Sequence, residues 1–461
     1  MRVSTPFPFI CQYVEQLHDR LYQQNAGLTP GQRKWLSFSL MCILVTESVC
    51  WRRFVRASLG QYSEALLSWY FRAPVSYELL LRMSVHLLIE NFSIYEGILV
   101  LDDTGKKRSK ATQKIPYVHY FKSPDSSGTT RGQQIILLAL VTPTVTIPIA
   151  FEYYQPDPVY SRWAKVNKRL KKQGIVASHR PKKPPVNPLY PSKQQLALTL
   201  LEQFALNYPL VKVKAVLADA LYGNAHFMEK AYQLFNETQV ISQLRCNQKI
   251  DYRGRSWRID EYFKAYPGVK QTYQVRGGKT VDIMVSSARL YVRAQACKRF
   301  VIAIRYPHET RSRYLIATHL SWRTLDIVKA YTLRWLVEVV IEDLKVHEGW
   351  GSATKQPGVD GSRKGLTLSL LCDHCLLLHP EQLARVKHKQ PLFTIGSLQR
   401  HLQMQSFISW LSQWLDTDEF TSKLAQLTEA IKPLFPLQPS GKHMNTRELG
   451  RLEPSPSLRY R

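Results

Sequence analysis

Residues 97–105, "GILVLDDTG", form a short apolar run that ends in two carboxylates and a turn. Such a run, without polar alternation, reads as a strand buried on both faces. Asp102 or Asp103 then falls at the carboxyl end of a buried strand, where sheets of open α/β proteins meet their ligands. Strand alternation sends neighbouring side chains to opposite faces, so only one of the two is expected to face a site. The next apolar segments, "IILLALV" and "IPIAFEYY", are expected as antiparallel partners. The run 135–151 that contains them is broken by Pro143 and Pro148, falls short of a membrane span and reads as two buried strands joined by a turn.

A second strand, in "VKVKAVLADALYGN" (211–224), delivers Asp219 to its end. A lone Asp there is usually a cap or turn residue. Asn224 is better placed to cap the helix that follows, which leaves Asp219 without a local task.

The third informative stretch is 325–347, "LDIVKAYTLRWLVEVVIEDLKVH", expected as one long helix. At about 100° per residue, Tyr331, Arg334, Glu338 and Lys345 fall within a stripe roughly 60° wide. A surface helix with stray ion pairs explains this pattern as well. Glu342 lies near the same stripe.

Charge points to the partner. The chain has 63 Lys and Arg against 35 Asp and Glu, a net charge of +28, which suggests a polyanion, most often nucleic acid. An anionic membrane surface would also fit the sign, but no basic amphipathic helix or lipidation signal supports it. Between Asp157 and Glu202 there is no acidic residue, and Lys168, Arg169, Lys171 and Lys172 stand in the basic run "RWAKVNKRLKKQGIVASHRPKK". That run is either a solvated surface or a phosphate contact. Residues 1–92 are expected to be helical, with Arg52, Arg53 and Arg56 beside Trp51 and Phe54 as a candidate groove-reading surface, or as the solvated charges of an ordinary bundle. Seven Cys without regular spacing suit a reducing cytoplasm, and "MRVSTPFPFICQYVEQL" does not read as a signal peptide. Cys372, Cys375 and His379 are weak zinc candidates, because no further Cys or His pair completes a structural site.

The spacing Tyr331, two residues, Arg334, three residues, Glu338, six residues, Lys345 resembles the signature of the cut-and-paste DDE transposases of bacterial insertion sequences, the group typified by insertion sequence 4. The apolar strand, Asp, small residue and Tyr-Gly around Asp219 is similar to that family's second block, and its pattern of Asp, polar residue and Thr favours Asp102 over Asp103. The resemblance implies an α/β protein whose ribonuclease-H-like mixed-sheet core is interrupted by a β-rich insertion and flanked by helical regions. It implies Asp102, Asp219 and Glu338 as catalytic ligands of two Mg²⁺ ions, with Mn²⁺ as a substitute, and Tyr331, Arg334 and Lys345 as DNA contacts. It also implies double-stranded DNA as partner, both transposon ends and target, a homodimer on that DNA, and a bacterial cytoplasmic, nucleoid-associated location.

The expected organisation is a helical DNA-binding region (1–92), the core's first part (93–246), the insertion (247–320), the core's second part (321–385), a C-terminal helical region (386–437) with helices near 395–414 and 418–431, and a disordered basic tail (438–461). The insertion's base-stacking aromatic is not identifiable; Trp257 and Trp322 are the candidates considered. A metal-dependent nuclease without strand transfer and a catalytically silent DNA-binding derivative are the rival readings.

Overall fold

A computed structural model describes residues 6–58, 60–108, 115–122, 128–274, 280–351 and 358–414, with short pieces at 424–425, 428–429, 437, 439–440 and 442–443. Most of the expected helix at 418–431 and most of the 438–461 tail lie outside these residues; 424–425 and 428–429 are helical.

The protein is α/β, built on one twelve-stranded mixed sheet. Its centre is β1 (Glu96–Lys107), flanked by antiparallel β3 (Thr129–Val141) and parallel β5 (Lys212–Ala218). Beyond β3 lie β2 (His119–Lys122) and β4 (Thr146–Tyr154), both antiparallel to it. On the other side β6 (Gln239–Leu244) runs parallel to β5. The expected strand pair in 135–151 is therefore present, and Thr142 closes its turn through bonds with Val145 in both directions.

Period-two alternation in β1 serves both faces of the sheet. Leu99 and Leu101 enter one core with α7 (Lys193–Asn207) and α8 (Ala225–Leu234), while Ile98 and Val100 enter the other with α10 (Thr324–Thr332) and α11 (Trp335–Val346).

Residues 247–320 contribute β7 (Lys249–Tyr252), β8 (Arg255–Arg258), α9 (Ile259–Ala265), β9 (Val269–Gln274), β10 (Thr280–Val292), β11 (Cys297–Arg305) and β12 (Arg313–Ala317). These strands continue the core sheet, because β12 pairs with β6 and carries β11 and β10 outward.

The first helices, α1 (Pro8–Tyr22), α2 (Pro30–Thr46), α3 (Trp51–Ala57), α4 (Glu64–Arg72) and α5 (Tyr77–Asn91), surround α2, whose residues 35–44 are all buried. The same core takes in Leu368, Leu371 and Cys375 of α12 (Gly358–Leu377) and Leu398 and Leu402 of α14 (Ile395–Trp414), so N- and C-terminal helices form one bundle. A buried polar chain ties the bundle to the sheet. Tyr13 OH meets Ser84 Oγ at 2.6 Å, Ser84 Oγ meets His374 Nδ1 at 2.7 Å, and His374 Nε2 meets the Pro148 carbonyl at 2.8 Å.

Two expectations are corrected. The helix expected over 325–347 is two helices, α10 and α11, separated at Leu333 and Arg334. There the backbone bonds contract to a three-residue reach, Leu333 N–H to Ala330 O at 3.0 Å and Arg334 N–H to Tyr331 O at 3.1 Å. Nor are the described residues of the tail disordered. Pro439 bridges to Phe393, and Lys442 and His443 are buried. Lys442 is tolerated inside because Asp343 lies 2.9 Å and Asp373 3.2 Å from its ammonium. Among the described residues no single helix is long and apolar enough to cross a membrane.

Candidate metal centre and nucleic-acid interface

Parallel pairing of β1 with β5 ends at Leu101 opposite Ala218. Asp102 and Asp103 lie one and two residues beyond that pair, and Asp219 directly follows β5. β1 itself runs on to Lys107, still paired with β3 at both residues, so the two Asp do not lie at its carboxyl end as expected; only β5 stops there, which opens the space beside Asp219 to an oxygen of each. Asp102, Asp103 and Asp219 each offer an oxygen, and these atoms lie within 4.8 Å of one another. The expectation that only one of Asp102 and Asp103 reaches the site is thus corrected, although alternation itself holds: Asp102 bonds Arg334 on the α11 side and Asp103 bonds Lys193 on the α7 side, and an oxygen of each still comes within 4.8 Å of Asp219 where β5 ends.

Each carboxylate is held. Asp102 accepts the Asp103 N–H at 2.8 Å with Oδ1 and the Arg334 guanidinium at 2.8 Å with Oδ2. Asp103 Oδ2 is salt-bridged to Lys193. Asp219 Oδ1 accepts the Leu221 N–H at 2.9 Å, so this residue does have a local task, capping the short turn Ala220–Tyr222. Its carbonyl also accepts Ser242 Oγ at 2.6 Å. Asn224 caps α8 as expected, through the Phe227 N–H at 3.0 Å. Between them Gly223 passes so close to β6 that a Cβ would stand 2.5 Å from the Gln243 carbonyl.

Crowded, partly buried carboxylates resist ionisation. Burial raises Asp102 to about 7, with the Asp219 and Asp103 charges adding to the rise and Arg334 opposing it. Burial likewise raises Asp219, Asp103 adds to it, and Arg334 and Lys193 oppose it. The buried Tyr222 hydroxyl has no hydrogen-bond partner among the described residues, and burial together with the three Asp charges holds its proton on. Three hard oxygen donors with excess negative charge suit Mg²⁺ or Mn²⁺. This is the only group with such a geometry found among the described residues.

Glu338 is not one of the three. Half-exposed on α11, it is joined to Asp102 through Arg334, whose guanidinium bonds both. Tyr331 is part-buried beside them, its hydroxyl making a long 3.5 Å contact with the Ala218 carbonyl. Lys345 lies apart, its ammonium over the Trp350 ring at 5.9 Å, and Glu342 is exposed. Arg52 and Arg53 are exposed on α3, the first paired with Glu64 at 3.2 Å and the second bonded to the Thr46 carbonyl at 3.2 Å. Cys372 and Cys375 are buried free thiols, and His379 Nδ1 caps α13 (Pro380–Lys387), so these three are spent on packing and capping. Trp322 is buried and Trp257 sits among Tyr262 and Tyr266.

Lys168, Arg169, Lys171 and Lys172 stand on α6 (Pro158–Lys172), a helix that buries none of its residues, and all four are exposed. None of the four has an ion-pair partner among the described residues. The segment from α6 to residue 191 folds on itself, with Trp163 Nε1 donating to the Pro181 carbonyl at 2.8 Å. It leaves from β4 and returns at α7, and the two ends meet where Lys193 lies over the Tyr154 ring at 5.3 Å. This basic arm is thus rooted beside Asp103.

Lys193 was not singled out from the sequence. Its one signal there is its place, a cation in the first turn of a helix, where the macrodipole disfavours it.

Residues 50–253 match the family model of the DDE superfamily endonucleases, a span that includes Asp102, Asp103 and Asp219 but ends before Arg334 and Glu338. No curated protein matches the chain. The match supports a DDE transposase-type family, and with it a ribonuclease-H-like fold, an endonuclease using divalent metal, and DNA as substrate.

Proposed function

We propose that the protein is a DNA transposase that binds the terminal inverted repeats of a mobile element, cleaves the ends and joins their 3′-hydroxyls to target DNA. The observation that carries this reading is the meeting of three Asp carboxylates where the parallel pairing of β1 and β5 ends, inside the DDE endonuclease match, with Arg334 linking Glu338 to Asp102. The similarity of the Tyr331, Arg334, Glu338 and Lys345 spacing to the insertion-sequence-4 group supports the transposase form of that chemistry.

In this reading Asp102, Asp219 and Glu338 hold two Mg²⁺ ions, with Asp103 as a neighbouring fourth carboxylate. Ions bound there supply Lewis acidity to an attacking oxygen and to the leaving oxygen of an in-line displacement. The chain itself supplies position. Arg334 offers a planar fork to a terminal phosphate, Tyr331 a hydroxyl, and Lys345 a point charge. The exposed cations of α6 follow the DNA backbone away from the site, and Arg52 and Arg53 contact it from α3. Because one site can serve both water and a 3′-hydroxyl as nucleophile, cleavage and joining need no second centre. The protein works as a homodimer on DNA in a bacterial cytoplasm, at the nucleoid.

The test uses a duplex carrying the repeat that flanks the coding sequence, a plasmid target and Mg²⁺. Wild type is expected to nick at the repeat boundary and to join the end to the plasmid. Asp219→Ala is expected to abolish both while binding the end within a few-fold of wild type. Full cleavage by Asp219→Ala overturns the proposal. Cleavage without joining reduces the protein to a nuclease, and binding without cleavage to a silent DNA-binding derivative.

A further inference from the structure

We infer that Lys193 is the resident counter-cation of Asp103, as Arg334 is of Asp102, and that it competes through Asp103 with an incoming divalent ion and so sets how tightly the carboxylate cluster binds metal. The inference rests on the reading of Asp102, Asp103 and Asp219 as a metal centre. Four features hold the ammonium where it is. It is salt-bridged to Asp103 Oδ2, and both side chains are only 18% exposed. The Tyr154 ring lies 5.3 Å beneath it. The start of α7 is fixed by Ser192 and Gln195, whose side chains each bond the other's backbone N–H. The adjacent Gln194 Nε2 donates to the Leu221 carbonyl at 2.6 Å, which fastens this helix start to the turn that Asp219 caps.

A lysine at the positive end of a helix is disfavoured unless an anion balances it, and Asp103 is that anion. The balance is one to one only while no other cation is present. Since three carboxylate oxygens lie within 4.8 Å of one another, an ion bound among them sits within a few ångströms of the ammonium. Like charges that close in a partly buried site oppose each other by more than a factor of ten in affinity. Lys193 thereby keeps the carboxylates apart from one another's repulsion before metal arrives and raises the metal concentration needed to replace it.

The test is Mn²⁺ binding by the full chain, free Mn²⁺ being counted by electron paramagnetic resonance, with no DNA present and no reaction to follow. Lys193→Met is expected to bind Mn²⁺ about tenfold more tightly or better than wild type, Lys193→Gln similarly, and Lys193→Arg within a few-fold of wild type because the charge remains. Thermal melts check that each variant is folded, because removing Lys193 leaves Asp103 unpaired beside two other carboxylates. If Asp219→Asn loses Mn²⁺ while Lys193→Met binds it no better than wild type, the role of Lys193 is overturned and the metal centre stands. If Asp219→Asn binds Mn²⁺ as wild type does, both are overturned.

Discussion

Asp102 is an acid kept where its own charge is unwelcome, and that can be measured without any substrate. Its ordinary value is 3.8, and in the folded chain burial raises it to about 7. Between these two values the folded state holds a proton that the unfolded state has lost, so stability falls as pH rises through this window and stays low above it. Asp102→Asn removes the effect. In EDTA at pH 8 the variant should melt several degrees above wild type, the advantage of about 2–4 kcal/mol shrinking to nothing near pH 4. Thermal melts of the two proteins across that range check it, and parallel curves would show that the Arg334 pairing already compensates the buried charge. Arg334 is the second residue whose type matters. Arg334→Lys keeps the charge but loses the fork that bonds Asp102 and Glu338 together, so it should lower Mg²⁺-dependent end cleavage by at least about tenfold while nonspecific duplex binding changes little. Glu342→Gln, exposed on the same helix, should cleave as wild type; the opposite pattern in a cleavage assay would mean that the motif spacing selects the wrong face.

The elements differ in how openly the sequence announces them. β1, β3, β4 and β5 are apolar runs bounded by turn residues, and the capped helices α7 and α8 carry Ser192 and Asn224 at their starts, so local pattern is enough. The interruption between α10 and α11 has no Gly or Pro to mark it; Leu333 is an apolar residue in an apolar helical run, and only packing on the sheet divides the two. Local alternation leaves Asp102 and Asp103 as alternatives, because nothing in the sequence near them shows that β5 stops at Ala218 and leaves room for an oxygen of each beside Asp219. Lys193 and the burial of Lys442 were illegible for a common reason: each cation is explained by a carboxylate far away in the chain, 90 residues in the first case and 69 in the case of Asp373. α6 was legible as a charge run but not as a projecting arm. Its prediction belongs to the whole helix. If the arm lies along DNA, neutralising Lys168, Arg169, Lys171 and Lys172 together should flatten the slope of log K against log salt, each lost phosphate contact accounting for about 0.9. An unchanged slope in a duplex-binding titration would make the arm a solvated surface.

At the scale of the molecule, sheet and helical bundle are joined by groups that must stay neutral. Burial lowers His374 below its ordinary value of 6.5, and its two ring nitrogens are committed to Ser84 and the Pro148 carbonyl. Below pH 6.5 the unfolded chain takes up a proton that the folded chain refuses, so stability is lost as pH falls, at up to about 1.4 kcal/mol per pH unit. His374→Gln should lower the melting temperature at pH 7 yet weaken its dependence on pH between 7 and 5; an unaltered dependence would assign the acid sensitivity to other groups. The pairing of β6 with β12 has a consequence in time. Translation produces β1 through β6 before any residue of β12 exists, so the central strands can assemble while the free side of β6 still displays unpaired amides and carbonyls. In that interval Asp102, Asp103 and Asp219 have already been synthesised, and so has Lys193, but Arg334 and Glu338, more than two hundred residues after Asp102, have not. A growing chain on the ribosome therefore passes through a stage with its acidic cluster complete and its helix α11 absent, and the strand that closes the sheet's open side is made just ahead of the helix that completes the surroundings of the acids.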